Sequence, residues 1–101
     1  MSTTTDFSNL VTVIMPAYNA QEYIFESIQS VLNQSSVNIE LIIIDDASTD
    51  DTVSIVKKNY SNDHRVRLLT NSNNLGPGIS RNKGLVCAKG QFIAFLDSDD
   101  I

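Results

Sequence analysis

Four short apolar runs divide this chain, and segments with helical spacing or polar character lie between them. Val11–Met15, Ile39–Ile44, Val66–Thr70 and Phe92–Leu96 have strand length and are rich in aliphatic, β-branched or aromatic residues. Pro16 is expected to stop the first, because it lacks a ladder donor. The second is nearly continuous in β-branched and aliphatic residues, as a strand covered on both faces of a parallel sheet requires. Between the first two runs, Ile24, Ile28, Val31 and Leu32 repeat at i, i+4, i+7 and i+8. This predicts a helix over about Ala20–Gln34 with Asn19 as N-cap and Glu22 completing a capping box. A second helix is expected from Asp51 to Tyr60, capped by Ser48, Thr49 or Asp50. A third is expected from Gly78 to Lys89, with Gly90 as its C-cap. Strands alternating with helices give an α/β class: an open parallel sheet with right-handed crossovers and flanking helices.

The polar chemistry is not spread evenly over that pattern. In an open α/β sheet, ligands bind outside the carboxyl ends of the strands. Those ends carry Pro16-Ala17-Tyr18-Asn19, Asp45-Asp46-Ala47-Ser48-Thr49-Asp50, Asn71 to Gly78, and Asp97-Ser98-Asp99-Asp100. Seven of the twelve acidic residues fall in the second and fourth of these ends and at Asp51. Two carboxylates about 4 Å apart repel by ~4 kcal/mol at an effective dielectric near 20, so a bound dication would turn a cost into attraction. Tyr18 can stack on a base, and backbone groups at Pro16 and Ala17 can bond its edge. Asp46 can accept from a ring N–H, which favours uracil over cytosine. Asp97 can accept from ribose hydroxyls, and Asp99 is a hard oxygen ligand suited to Mg²⁺ or Mn²⁺. Arg81 and Lys83, early in the third helix, can face a diphosphate.

Several residues have a plainer expected role. Asp45 caps its own loop, and Asp50 and Asp51 are first-turn acids favoured by the helix dipole. Lys57, Lys58, Arg65 and Arg67 are solvated surface. At 101 residues and 42% hydrophobic content the chain is one domain with a packed core. A net charge of −5 excludes a non-specific nucleic-acid binder, whose affinity comes from basic residues. The single cysteine, Cys87, has no internal disulfide partner and is expected to be a small buried apolar residue, so a reduced, cytoplasmic setting is expected. Residues 1–9 are expected to be a polar tail, disordered or extended, and lack the basic start and apolar core of a signal peptide. No apolar run approaches membrane-span length. A receiver-type phosphoacceptor domain is disfavoured because the third strand ends in Thr70-Asn71 rather than a lone acid. A non-catalytic nucleotide- or partner-binding module stays open, with self-association through an exposed sheet edge.

Taken together, Val13 to Asn19, Ile43 to Asp50, Asn74-Leu75-Gly76, Ser80 to Gly84 and Ala88 to Asp100 resemble the inverting family 2 glycosyltransferases. The resemblance covers about Leu10–Ile101. It implies a Rossmann-like open parallel sheet with flanking helices, the N-terminal half of the GT-A fold. It also implies a nucleotide-sugar donor, most often UDP-linked, and Mn²⁺ or Mg²⁺. Pro16, Ala17, Tyr18, Asn19, Asp46, Arg81, Asp97 and Ser98 would bind the nucleotide sugar. Asp99 of the Asp-x-Asp motif would hold the metal, with Asp97 the alternative. Strands one and four would lie side by side. Ser80 departs mildly from the family, where many members have alanine. The catalytic base would lie beyond Ile101, so no residue is assigned that role. Residues 10–101 would be the donor-binding half of a hexosyltransferase-type enzyme, inactive alone. The parent would act on a glycan, lipid-linked or other hydroxyl acceptor at the cytoplasmic face of a membrane.

Overall fold

The computed structural model describes residues 9–34 and 38–97. The elements alternate as expected: β1 (Leu10–Ala17), α1 (Ile24–Leu32), β2 (Asn38–Asp45), α2 (Thr52–Tyr60), β3 (Val66–Thr70), α3 (Pro77–Cys87) and β4 (Phe92–Phe95). The strands form one parallel sheet in the order β3-β2-β1-β4. The sheet grows one way from β1 through β2 to β3, then reverses to place β4 on the other side of β1. That reversal is the topological switch point.

Strand alternation sends side chains to opposite faces, and both faces are covered. Val13 and Met15 of β1 and Leu41 and Ile43 of β2 pack with Ile24, Ile28 and Val31 of α1 and Val56 and Tyr60 of α2. Ile14, Ile42 and Ile44 point the other way, toward α3. Leu41 to Ile44 are all fully buried, which explains the continuous apolar run: a central strand with two covered faces has no polar side. Gly84 lets α3 lie close. A Cβ there would come within 2.7 Å of Ile14 Cγ2 and 3.0 Å of Ile44 Cδ1.

The element limits depart most from the sequence expectation in three places. β1 does not stop at Pro16; it runs to Ala17, with Pro16 opposite Ile44. Ile14 presents its carbonyl to Leu96 of the chain beyond β4, so Pro16, two residues on, faces the same side. The β1–β4 ladder has ended at Ile14–Phe95, and no donor is needed there. α1 starts at Ile24, not Ala20, and ends at Leu32. Ala20 to Tyr23 form a turn whose carbonyl at Ala20 accepts from Tyr23 and Ile24, and Tyr23 stands at the N-cap without a side-chain bond. Asn19 therefore caps no helix, and Glu22 completes no capping box. α3 ends at Cys87, and Ala88 leaves the helix in extended conformation, so Gly90 is not its C-cap. Gly90 is instead pressed against β1, where a Cβ would meet Thr12 Oγ1 at 2.6 Å and the Leu10 carbonyl oxygen at 2.8 Å. Finally, β4 is an exposed edge, with Phe92 56% and Phe95 50% accessible. Cys87 is a partly buried free thiol packed beside the Ile14 cluster.

Candidate nucleotide-binding cleft

The carboxyl ends of β1, β2 and β4 meet the start of α3 around an open cleft of about 330 Å³. Pro16, Ala17, Tyr18 and Asn19 come from the end of β1 and its loop, and Ala20 and Tyr23 from the turn that follows. Asp46 comes from the end of β2, Pro77 and Arg81 from α3, and Asp97 from beyond β4. The volume falls in the range of ordinary ligand sites. Seven of the eight residues expected from sequence to bind a nucleotide sugar, Pro16, Ala17, Tyr18, Asn19, Asp46, Arg81 and Asp97, thus line one cleft. Ser98 and Asp99 lie outside the described residues.

Asp46 is the most tightly held member. It is 4% exposed, yet both its oxygens are engaged. Oδ1 accepts from the Leu75 N–H at 2.7 Å and from Asn71 Nδ2 at 2.9 Å, and Oδ2 accepts from the Gly76 N–H at 2.9 Å. Burial pushes this carboxyl up, but the bonds from Leu75, Asn71 and Gly76 and the Lys83 charge outweigh it. The group is held below the usual carboxylate range. A carboxylate offers about four lone pairs, so Oδ2 retains capacity for a ligand N–H.

The β1 loop is shaped by the β2 loop. Asn19 has φ 49°, a left-handed conformation that asparagine tolerates, and its Oδ1 accepts from the N–H (2.8 Å) and hydroxyl (3.3 Å) of Thr49. Its own N–H donates to Ser48 Oγ at 2.9 Å. Thr52 Oγ1 accepts from the Ala20 N–H at 2.8 Å, and Asp50 Oδ2 accepts from the Gln21 N–H at 3.2 Å. Asn19 lines the cleft, but its side-chain oxygen holds the neighbouring loop. Asp45 bonds within its own loop, accepting from the Ser48 N–H and hydroxyl at 3.0 and 2.6 Å. Asp50 is more than a first-turn acid. It accepts from the Thr52 N–H and hydroxyl as well as from Gln21, and despite burial these bonds keep its carboxyl below the usual range.

Tyr18 presents a half-exposed ring at the cleft. Arg81 and Asp97 face each other across it, 3.6 Å apart and both well exposed. Lys83, expected beside Arg81 at a diphosphate, is not in the cleft. Residues two apart on a helix point roughly oppositely, and Lys83 Nζ instead donates to Asn71 Oδ1 at 2.6 Å. Sequence reasoning missed Asn71, Ala20, Tyr23 and Pro77. Asn71 and Pro77 lie in the stretch at the carboxyl end of the third strand, and that position was the available signal.

Residues 12–101 match the family described as "Glycosyl transferase family 2", and the chain belongs to that family. It is 50% identical over 92 residues to the UDP-Glc:alpha-D-GlcNAc-diphosphoundecaprenol beta-1,3-glucosyltransferase WfgD of Escherichia coli, covering 91% of this chain and 36% of that one. The structure of S. aureus TarS 1-349 in complex with UDP-GlcNAc superposes with TM-score 0.79 at 39% identity, over 88% of this chain and 26% of that one. The mannosyltransferase PcManGT of Pyrobaculum calidifontis, in complex with GDP-Man and Mn²⁺, gives TM-score 0.81 at 29% identity, over 88% of this chain and 27% of that one. The fold is accordingly the parallel α/β sheet of the GT-A glycosyltransferases. The chain spans about a third of the length of the curated relatives it matches. Among the described residues no helix is long and apolar enough to cross a membrane.

Proposed function

We propose that residues 10–101 are the donor-binding part of a glycosyltransferase that moves a sugar from a UDP-sugar to an acceptor hydroxyl with inversion. The observation that carries this reading is the meeting of Tyr18, Asp46, Arg81 and Asp97 in one cleft at the switch point. The Tyr18 ring would stack on a base, Pro16 and Ala17 would wall its edge, and Asp46 would accept its ring N–H. Arg81 would neutralise the departing diphosphate, an electrostatic contribution to the transition state.

The relatives' names and titles support the donor class: one acts from UDP-Glc and another holds UDP-GlcNAc. Among the described residues, one carboxylate, Asp97, is available to a dication. Asp97 is exposed and, among the described residues, pairs with Arg81 at 3.6 Å, which leaves its oxygens available for a hard cation. Asp97 and Asp99 would hold Mn²⁺ or Mg²⁺, with Asp99 the principal ligand and Ser98 beside the sugar diphosphate. When bound, the ion supplies Lewis-acid stabilisation of the diphosphate. The acceptor, a glycan, lipid-linked or other hydroxyl compound, and the general base belong to the remaining length seen in the relatives. The free Cys87 thiol suits a cytoplasmic setting, at a membrane face for the parent protein.

Titration calorimetry of the chain with UDP tests the reading. Binding should appear with Mn²⁺ or Mg²⁺, weaken in EDTA and vanish in Asp99→Ala. Equal affinity for UDP and CDP, or no binding at all, would remove it. The exposed Phe92 and Phe95 on the β4 edge favour self-association of this chain as a second reading of that surface. A monodisperse monomer in light scattering at high concentration would end that idea.

A further inference from the structure

Asp46 does not hold its place alone. Behind it lies a short polar relay that the donor-site reading does not use. Asn71 is 5% exposed and its side chain is fully committed. Nδ2 donates to Asp46 Oδ1 and, at 3.1 Å, to Ser80 Oγ, while Oδ1 accepts from Lys83 Nζ at 2.6 Å. The backbone N–H of Asn71 donates to the Asp45 carbonyl at 2.8 Å, which fixes the residue to the end of β2. An amide is polar in one direction only. Were Asn71 turned over, its carbonyl would face a carboxylate and its NH₂ an ammonium, so the two charges at its ends select one orientation.

We propose that Lys83, acting through Asn71, is a positioning residue that holds the Asp46 carboxylate in the orientation needed to accept a nucleobase N–H in the cleft. The two charges belong to different segments, the loop that follows β2 and helix α3, and the buried amide is what couples them. The direct donors to Asp46, the Leu75 and Gly76 amides, sit in the loop that leads into α3. The same helix that carries Arg81 into the cleft therefore also carries the cation that sets Asp46 from behind. The identity of the ligand in this proposal rests on the donor-site reading; the relay itself does not.

Lys83 is exposed, so Lys83→Met removes the charge without opening the core. Two readouts separate the relay from the donor site. In the first, amide hydrogen exchange of Leu75 and Gly76 is compared in wild type, Lys83→Met and Lys83→Arg. Faster exchange in Lys83→Met that is restored in Lys83→Arg, with other loops unchanged, supports the relay. Unchanged exchange at both amides overturns it, whether or not any nucleotide binds. In the second, UDP and CDP are titrated in the presence of Mg²⁺. Lys83→Met should weaken UDP by about tenfold, the size of one charge-assisted hydrogen bond, and leave the weaker CDP affinity where it was. Equal losses for both nucleotides would make Lys83 a general support and overturn the positioning role. A wild-type chain that binds neither nucleotide would fail the donor-site reading alone, and the exchange measurement would still decide the relay.

Discussion

The chain has two acid clusters that look alike as letters, Asp45-Asp46 after β2 and Asp97 onward after β4, and the fold treats them oppositely. β2 is a central strand, so the acids at its end emerge into loops packed on both sides. Asp45 and Asp46 are 2% and 4% exposed; Asp45 is bonded within its own loop by Ser48, and Asp46 by the loop that leads into α3. β4 is an edge, so Asp97 emerges into solvent and, among the described residues, meets only Arg81, at 3.6 Å. The lesson is that position in the sheet, rather than local sequence, decides whether a carboxylate organises a site or waits for a ligand. A buried carboxylate must satisfy its lone pairs within the chain, whereas an exposed one keeps them for water or a ligand.

Removing the two acids in turn is the sharpest way to break that contrast. Asp46→Ala should cost about 3 kcal/mol in urea unfolding, because it leaves the Leu75 and Gly76 amides and Asn71 without their acceptor. It should also abolish UDP binding. A stability change no larger than that of a surface mutant would mean that the loops do not depend on it.

Acid should act on the same cluster. Asp46 and Asp50 both have folded-state values below the ordinary 3.8. Their stabilisation is therefore complete above that value and is lost as pH falls through the lower folded-state values. Stability measured by denaturant between pH 7 and pH 2 should be level at the top and fall below about pH 4. Asp46→Asn should flatten part of that fall.

Asp50→Ala should cost about 1.5 kcal/mol, because the Thr52 N–H and hydroxyl lose their acceptor and the bond that ties Gln21 to Asp50 is lost. If the clamp between the β1 and β2 loops positions Tyr18, UDP affinity should fall as well. The smallest effect belongs to the other cluster. Asp97→Ala should change stability by less than about 0.5 kcal/mol, because an exposed ion pair contributes little. Metal-dependent UDP binding should nevertheless fall in that variant. A large stability loss there would erase the distinction between the two clusters.

The sequence by itself determined the alternation of strands and helices, the double burial of β2 and the crowding of polar residues at the carboxyl ends. Those follow from hydrophobic period and run length, which are local properties, and the family resemblance added the expectation that strands one and four pair. Other features needed the tertiary structure. Asparagine before an apolar period suits a helix cap and a left-handed turn equally, and only the Thr49 loop packed against Asn19 selects the second. Pro16 can extend β1 because β4 ends two residues short of it, a fact about a neighbour far along the chain. The opposite directions of Arg81 and Lys83 were legible in principle from helical geometry. The destination of Lys83 was not, because the buried amide it meets comes from the end of another strand. Local patterns fix what a segment can become; which lone pairs are left for a ligand is decided only when distant segments have taken theirs.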